Sequence, residues 1–297
     1  MHIYDETKDI RVNNSAVTLG KFDAFHLGHQ RLINIINEKK KEYGYETVLF
    51  SFDTTGIKHL PSVTTKAERI DICNELGIDN LVFYPVNKET MAIEPENFIK
   101  EVLVKRMGAK VIVTGRDFCF GRNRRGNVEM LEKYAVESGY ELIVADDVMS
   151  DGKKVSSSNI KDYLTSGNIE MSNKMLGYNY FIKGQVVAGK QNGRKIDTRT
   201  INISPDENKI LPPRGVYKTN THIDSRVFNS ITNVGINPTV KEDGRIVVET
   251  HILDFNEDIY DKEVKIEFIK FIREERKFPD LNALKRQILL DISEANL

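Results

Sequence analysis

The sequence predicts two folds in series: an α/β domain built on a parallel sheet, then a small antiparallel β-barrel domain with a C-terminal helix. Three observations carry that reading. In the first half of the chain short apolar runs alternate with amphipathic helical stretches, beyond about residue 180 apolar runs follow one another with no helix between them, and the last stretch returns to a helical apolar period. A chain of 297 residues is too long for one small core and suits two domains.

Taken in order, an apolar strand ends at Gly20 and a helix runs from about Gly28 to Lys41. Thr47-Val-Leu-Phe-Ser-Phe52 is a short apolar run bounded by polar residues. A helix starts at Thr65, whose hydroxyl caps it while Glu68 reaches back in a capping box, and it ends near Gly77. A strand at Leu81–Tyr84, a helix from about Pro95 to Met107 with proline in its first turn, and a strand at Lys110–Thr114 follow. The half closes with a helix at about Val128–Ser138 and a strand at Glu141–Ala145. Strands separated this way imply right-handed crossovers and a parallel sheet covered on both faces, with ligands at the carboxyl ends of its strands.

After the short helical stretch Asn168–Leu176 and Gly177, strands are expected at Lys183–Gly189, Thr200–Ile203, Gly215–His222, Ser230–Gly235, Ile246–Phe255 and Glu263–Ile272. Val264, Ile266 and Phe268 show the period-two alternation of a half-buried sheet. Their number and the lack of helices predict a small antiparallel barrel. The closing helix presents Leu281, Leu284, Ile288 and Ile292 along one face. The domains are therefore expected at 1–180 and 181–297, with no internal repeat or low-complexity linker.

Composition narrows the partners. Lys plus Arg total 43 against 44 for Asp plus Glu, so the net charge of −1 supplies no global attraction to nucleic acid or an anionic membrane. Cys73 and Cys119 are the only cysteines, too few for a disulfide framework or a zinc site. The opening Met-His-Ile-Tyr-Asp-Glu lacks the basic and apolar regions of a secretion signal, and no apolar run approaches the roughly 20 residues of a membrane span. The expectation is a cytoplasmic protein acting on small molecules, monomeric or weakly self-associating.

The chemistry concentrates in Gly20-Lys-Phe-Asp-Ala-Phe-His-Leu-Gly-His29. His26 and His29 lie at the turn from strand to helix, where free backbone N–H groups and the positive end of the helix dipole favour an anion. Two imidazoles there can bind the charge that develops on a phosphate during transfer, and Gly28 is expected to let the backbone approach the ligand. The competing reading is a plain helix start. Gly115-Arg-Asp-Phe-Cys-Phe-Gly-Arg-Asn-Arg-Arg-Gly126 sets four arginines among three glycines after a strand, suiting either a loop folded over polyphosphate or a solvated basic loop. Ser156-Ser-Ser-Asn-Ile-Lys161 places hydroxyls at a helix start with a cation one turn later, which reads as an N-cap or as a pyrophosphate grip.

Together these segments resemble the bacterial riboflavin kinase/FMN adenylyltransferase family across nearly the whole chain. The likeness continues through Leu176-Gly177, Gly215-Val-Tyr217, Val234-Gly-Ile-Asn-Pro-Thr239, Glu249-Thr-His-Ile-Leu-Asp-Phe255 and Ile272-Arg-Glu-Glu-Arg-Lys-Phe278. The resemblance implies a Rossmann-like nucleotidyltransferase domain that converts FMN and ATP to FAD and pyrophosphate with Mg²⁺, followed by a riboflavin kinase-like barrel. It assigns His26, His29 and Lys161 to the reacting phosphates. Gly20, Phe22, Asp23, Gly28, Asp53, Asp117, Arg122, Ser156, Ser157 and Ser158 form the ATP- and flavin-binding set.

Departures from the family pattern matter as much. Ala24 stands where the family has glycine, which requires a negative φ. Ser51-Phe-Asp-Thr-Thr-Gly56 keeps the aspartate without the family's following Pro-His-Pro, and Lys161 replaces an arginine, giving up a bidentate grip. In the barrel the family's Gly-Phe-Pro-Thr-Ala-Asn reads Asp197-Thr-Arg-Thr-Ile-Asn202. Thr200 and Asn202, implied ligands of ATP and Mg²⁺, survive, and Glu249 occupies the general-base position or is simply an outward strand residue. Asp197 adds a negative charge beside phosphates and Arg199 replaces a φ-fixing proline, so kinase activity is expected to be weak or lost. A fully bifunctional enzyme and a non-enzymatic flavin-binding regulator are the alternatives. Pantetheine-phosphate adenylyltransferases and class I aminoacyl-tRNA synthetases share the nucleotide signature, but the barrel and the lack of a basic surface argue against both.

Overall fold

The computed structural model describes residues 1–5, 9–53, 60–187, 200–236, 246–276 and 278–295. The chain divides into two compact units, Met1–Ser157 and Ser158–Leu297.

The first unit is built on six strands: β1 (His2–Tyr4), β2 (Ser15–Gly20), β3 (Glu46–Asp53), β4 (Asn80–Pro85), β5 (Ala109–Gly115) and β6 (Glu141–Ala145). They pair in parallel in the order β1-β4-β3-β2-β5-β6. From β2 the chain winds outward through β3 and β4, then returns past β2 to β5 and β6. The winding reverses between β2 and β5, the place where open α/β sheets bind ligands, and Gly20 and Gly115 are the carboxyl ends there. Both faces of the central strands are buried: Val17, Leu19, Val48, Phe50, Val82 and Ile112 lie in one core, and Ala16, Leu49, Leu81, Val111 and Val113, which alternate with them, are buried as well. The edge strand β1 was not predicted, since three residues carry no readable period.

The connecting helices are α1 (Leu27–Tyr43), α2 (Lys66–Glu75), α3 (Lys88–Met91), α4 (Pro95–Asn97) and α5 (Val128–Ser138). α1 buries Leu32, Ile33 and Ile36 and ends on Gly44 at φ 71°. The capping box of α2 forms as predicted: Glu68 N donates to Thr65 Oγ1 at 3.2 Å, and Thr65 N donates to Glu68 Oε2 at 2.8 Å. The helix expected over 95–107 is α-helical only at its start. Phe98–Arg106 winds as a π-helix whose wider turn turns Phe98, Ile99, Val102 and Leu103 together into the core. A hairpin of β7 (Met149–Ser150) and β8 (Lys153–Lys154), unpredicted and two residues per strand, precedes α6 (Ser157–Thr165).

Beyond α6 the second unit contains α7 (Ile169–Leu176) and six antiparallel strands, β9 (Phe181–Val187), β10 (Thr200–Ile203), β11 (Gly215–Ile223), β12 (Arg226–Ile236), β13 (Ile246–Ile252) and β14 (Glu263–Arg273). They close into the barrel β10-β13-β12-β11-β14-β9, whose ends join through β9 and β10. β12 starts four residues before the expected Ser230, because Ile223 pairs with Arg226 across a two-residue turn in which Asp224 takes φ 53°. Part of the barrel interior is hydroxylic. Thr221, Ser230, Thr219, Thr232 and Thr250 are fully buried and linked in that order by contacts of 2.8 Å, each hydroxyl able to donate and accept.

The closing helix α8 (Leu281–Glu294) carries its apolar stripe but buries polar side chains more deeply. Leu284, Ile288 and Ile292 are half-buried, and the deepest side chains are polar: Gln287 and Asp291. Arg273 at the end of β14 explains it, donating to Asp291 Oδ1 from Nε at 2.8 Å and to Oδ2 from Nη2 at 2.7 Å, while Gln287 donates to Oδ1 at 2.7 Å. A bidentate pair of this kind is directional where an apolar stripe is not.

Candidate active site

The turn from β2 into α1 brings two imidazoles to the switch point. His26 is the N-cap of α1, at φ −62° and ψ 171°, and its Nδ1 accepts from His29 N at 3.2 Å. Accepting at Nδ1 makes neutral His26 the Nε2–H tautomer, so Nε2 is the donor left for a phosphate oxygen. The two rings stack with centroids 3.7 Å apart and planes at 12°, and Phe22 packs on His29 at 4.8 Å. Burial lowers His26 to about 4, partly offset by Asp23, and burial together with His26 and Arg69 holds His29 well below the usual histidine range. Both are neutral at pH 7, so the pair offers hydrogen-bond donors rather than a fixed positive charge, and an arriving polyphosphate favours protonation.

A Cβ at Gly28 would meet Cε1 and Nδ1 of His26 at 3.1 and 3.2 Å, so the missing side chain makes room for the imidazole. A Cβ on Gly20 would likewise meet the Phe22 ring at 3.1 Å. Ala24 is absent from the positive-φ positions, and the strain sits on Phe22 and Phe25, both at φ 44° and both buried. Aromatic residues in that region are held at a cost of about 1–3 kcal/mol each. Asp23, expected in the ligand set, is turned into the protein, where Oδ1 accepts from Ser62 Oγ at 2.6 Å and Val63 N at 2.9 Å.

Arg69 is a functional candidate that sequence reasoning missed. Its side chain is 2% exposed in α2, ion-paired with Asp23 at 3.4 Å, and its Nη1 has no hydrogen-bond partner among the described residues. Nothing in the sequence distinguishes it from an ordinary surface arginine on a capped helix. Phe52 and Phe118 were also missed. Phe52 near the end of β3 and Phe118 just after the turn that follows β5 are half-buried; their rings lie 6.2 Å apart at 30°, and Phe118 stacks on Phe120 at 5.6 Å. They form an aromatic platform suited to a planar heterocycle. Their place in Ser51-Phe-Asp53 and Gly115-Arg-Asp-Phe118 was the available signal.

The other expected residues lie as follows. Asp53 ends β3, beside the end of β2 and within the field of Arg69. Asp117 is exposed and ion-paired with Lys154, which also meets Asp147 at 2.9 Å. Arg122 meets Glu94 at 3.3 Å, Arg125 meets the same Glu94 at 2.7 Å, and Arg116 meets Asp146 at 2.5 Å. Such exposed pairs are weak enough for a phosphate to displace them. Ser156 immediately precedes α6, Ser157 and Ser158 open it, and Lys161 is in its second turn; the division between the two compact units falls inside this segment.

In the barrel, β10 and β13 bring the three kinase-like residues together. Asn202 pairs directly with Glu249, and Thr200 Oγ1 donates to Glu249 Oε1 at 2.7 Å. Asp197, Thr198 and Arg199 lie outside the described residues, as do Thr54–Gly56.

A doubly wound parallel sheet with paired imidazoles at its switch point, followed by a six-stranded barrel, defines a nucleotide-handling α/β module joined to a β-barrel module. Compared with known proteins, a family model described as FAD synthetase matches residues 9–159 and one described as riboflavin kinase matches residues 176–297. The bifunctional riboflavin kinase/FMN adenylyltransferase of Listeria monocytogenes is 31% identical over 97% of this chain and 92% of its own length. The protein of the same description from Bacillus subtilis is 31% identical over 95% and 91%. A crystal structure described as a macrolide-efflux protein from Streptococcus pneumoniae superposes with a TM-score of 0.88 at 28% identity, covering 99% of this chain and 98% of that one. That description belongs to the other protein; no helix among the described residues here is long and apolar enough to cross a membrane. The chain belongs to the bifunctional riboflavin kinase/FMN adenylyltransferase family.

Proposed function

We propose that the chain transfers the adenylyl group of ATP to the phosphate of FMN, forming FAD and releasing pyrophosphate, with the riboflavin kinase activity of the barrel weak or lost. The observation that carries the reading is the stacked His26–His29 pair at the N-terminus of α1. An FMN phosphate oxygen attacks the α-phosphorus of ATP in line, the α–β bridging bond breaks, and its electrons leave with pyrophosphate. No protein nucleophile is needed, so the residues act by orientation and charge stabilisation. His26 Nε2–H and the α1 N-terminus hold phosphate oxygens, and Phe52 with Phe118 offers the flavin ring a face. By family resemblance Ser156, Ser157, Ser158 and Lys161 hold the departing pyrophosphate, and Asp53, Asp117 and Arg122 serve the nucleotide and flavin. In the same reading the working domains are 1–180 and 181–297.

Among the described residues no group of three or more His, Cys, Asp or Glu is arranged to hold a metal. A site of phosphate oxygens and water suits Mg²⁺, which then supplies charge neutralisation of the triphosphate. Incubation with FMN, ATP and Mg²⁺ and separation of the flavins tests the reading: FAD and pyrophosphate should appear in equal amounts, and their absence would leave a non-catalytic flavin binder.

A second reading, a fully bifunctional enzyme, is favoured by one observation. Thr200, Asn202 and Glu249 converge on neighbouring strands, with the Thr200–Glu249 contact at 2.7 Å. A base that can take a proton from a riboflavin hydroxyl is then beside two side chains suited to a nucleotide–metal complex. Against it stand the carboxylate of Asp197 and the absence of the family proline at Arg199.

A further inference from the structure

The turn that carries His26 keeps two buried aromatic residues, Phe22 and Phe25, in left-handed backbone. Such a conformation persists only where the surroundings over-determine it. Between them Asp23 reaches out, and the segment Ser62–Arg69 receives it. Asp23 Oδ1 accepts from Ser62 Oγ at 2.6 Å, Val63 N at 2.9 Å, Thr64 N at 3.4 Å and Arg69 Nη2 at 3.4 Å, while Thr64 Oγ1 donates to the Asp23 carbonyl. Arg69 closes the circle by donating to Ser62 Oγ at 3.0 Å and Thr64 Oγ1 at 3.3 Å. Both charged groups are sealed from solvent, at 4% exposure for Asp23 and a 2% exposed side chain for Arg69. A buried charge with a buried partner resists displacement, since moving either leaves the other uncompensated.

We propose that Asp23 and Arg69 form a clamp that holds the β2–α1 turn, so that Arg69 is a positioning residue for phosphate transfer at the His26–His29 pair and Asp23 is not a substrate contact. The kinetic consequence rests on the adenylyltransferase reading; the structural one does not. The clamp fixes where α1 begins, hence how His26 caps it and how the two rings stack. Among the described residues His29 faces His26 and Arg69, His26 faces Asp23 and His29, and Arg69 also faces Asp53, Glu68 and the Cys73 thiol.

The test uses full-length Arg69→Met, Arg69→Lys and Ser62→Ala, each followed by steady-state FAD synthesis and by NMR titration of the histidine side chains. Arg69→Met should lower kcat roughly ten- to hundredfold, the cost of a displaced reacting geometry, with KM for FMN and ATP within about twofold. Its His29 should titrate at higher pH than in the wild type, because a neighbouring positive charge is gone. Arg69→Lys should recover most of the lost kcat, and Ser62→Ala should fall between. A tenfold rise in either KM at unchanged kcat would make Arg69 a substrate-binding group, and unchanged kcat with unchanged histidine titration would make the pair ordinary core; either overturns the proposal. Should Arg69→Met fail to fold, Ser62→Ala, which removes one hydroxyl shared by both charges, decides by the same two measurements. If the wild type makes no FAD, the adenylyltransferase reading falls, and the histidine titration still decides the clamp.

Discussion

His26 shows how much one side chain can be asked to do. It caps α1, stacks on His29 and fills the space left by Gly28. Replacing either His26 or His29 with alanine should cost on the order of 3 kcal/mol of transition-state stabilisation, roughly a hundredfold in FAD synthesis, at an unchanged circular dichroism spectrum. Equal rates in wild type and both variants would reduce the motif to a helix start. The buried imidazole also links stability to pH. Its folded pKa of about 4 lies below the ordinary 6.5, so the unfolded chain takes the proton first. The associated stability, about 3 kcal/mol, is present above pH 6.5 and is lost as pH falls toward 4. Urea unfolding of wild type and His26→Asn across that window should show the steeper acid loss in the wild type. At Lys161 the contrast is between a point charge and a fork: Lys161→Arg should preserve or improve FAD synthesis, and Lys161→Ala should lower it roughly tenfold or more. Equal activity in all three would return Ser156–Lys161 to the status of a helix cap.

At the scale of elements, local codes decide where helices begin and tertiary partners decide which face they bury. Thr65 and Glu68 name the start of α2 outright, and the box they make is present. α8 is the opposite case. Its apolar stripe is real, yet the side chains it buries deepest are Asp291 and Gln287, because Arg273 emerges from β14 at that height. Asp291→Ala would leave a largely buried guanidinium without its partner, at a cost of about 3–5 kcal/mol in urea unfolding. A loss below about 1 kcal/mol would mean that α8 is held by its leucines and isoleucines instead.

At the scale of the molecule the open matter is whether two modules mean two activities. The expectation is that riboflavin with ATP and Mg²⁺ yields no FMN, whereas FMN with ATP yields FAD. If Asp197 lies beside the triphosphate, as the resemblance to the family implies, its carboxylate costs on the order of 1–4 kcal/mol at the dielectric of a protein surface. FMN formed from riboflavin at about one turnover per second, the low end for kinases, would overturn the expectation. Rebuilding the loop with Asp197→Gly, Thr198→Phe, Arg199→Pro and Ile201→Ala should restore some kinase activity, since Thr200, Asn202 and Glu249 already stand together.

The sequence by itself determined the alternation of strand and helix, the barrel that follows, the helix starts and the place of the two histidines at the turn into α1, because each is written in residues close together along the chain. Periodicity and capping act within one or two turns. Only the tertiary structure decided that the empty positions at Gly20 and Gly28 are filled by Phe22 and His26, and that Asp23 turns inward to Arg69 rather than outward to a ligand. It decided likewise that burial pushes both histidines below their ordinary pKa and that the barrel closes around hydroxyls. These depend on which side chains arrive from distant segments and on the water they exclude, and neither quantity is carried by any local stretch of sequence.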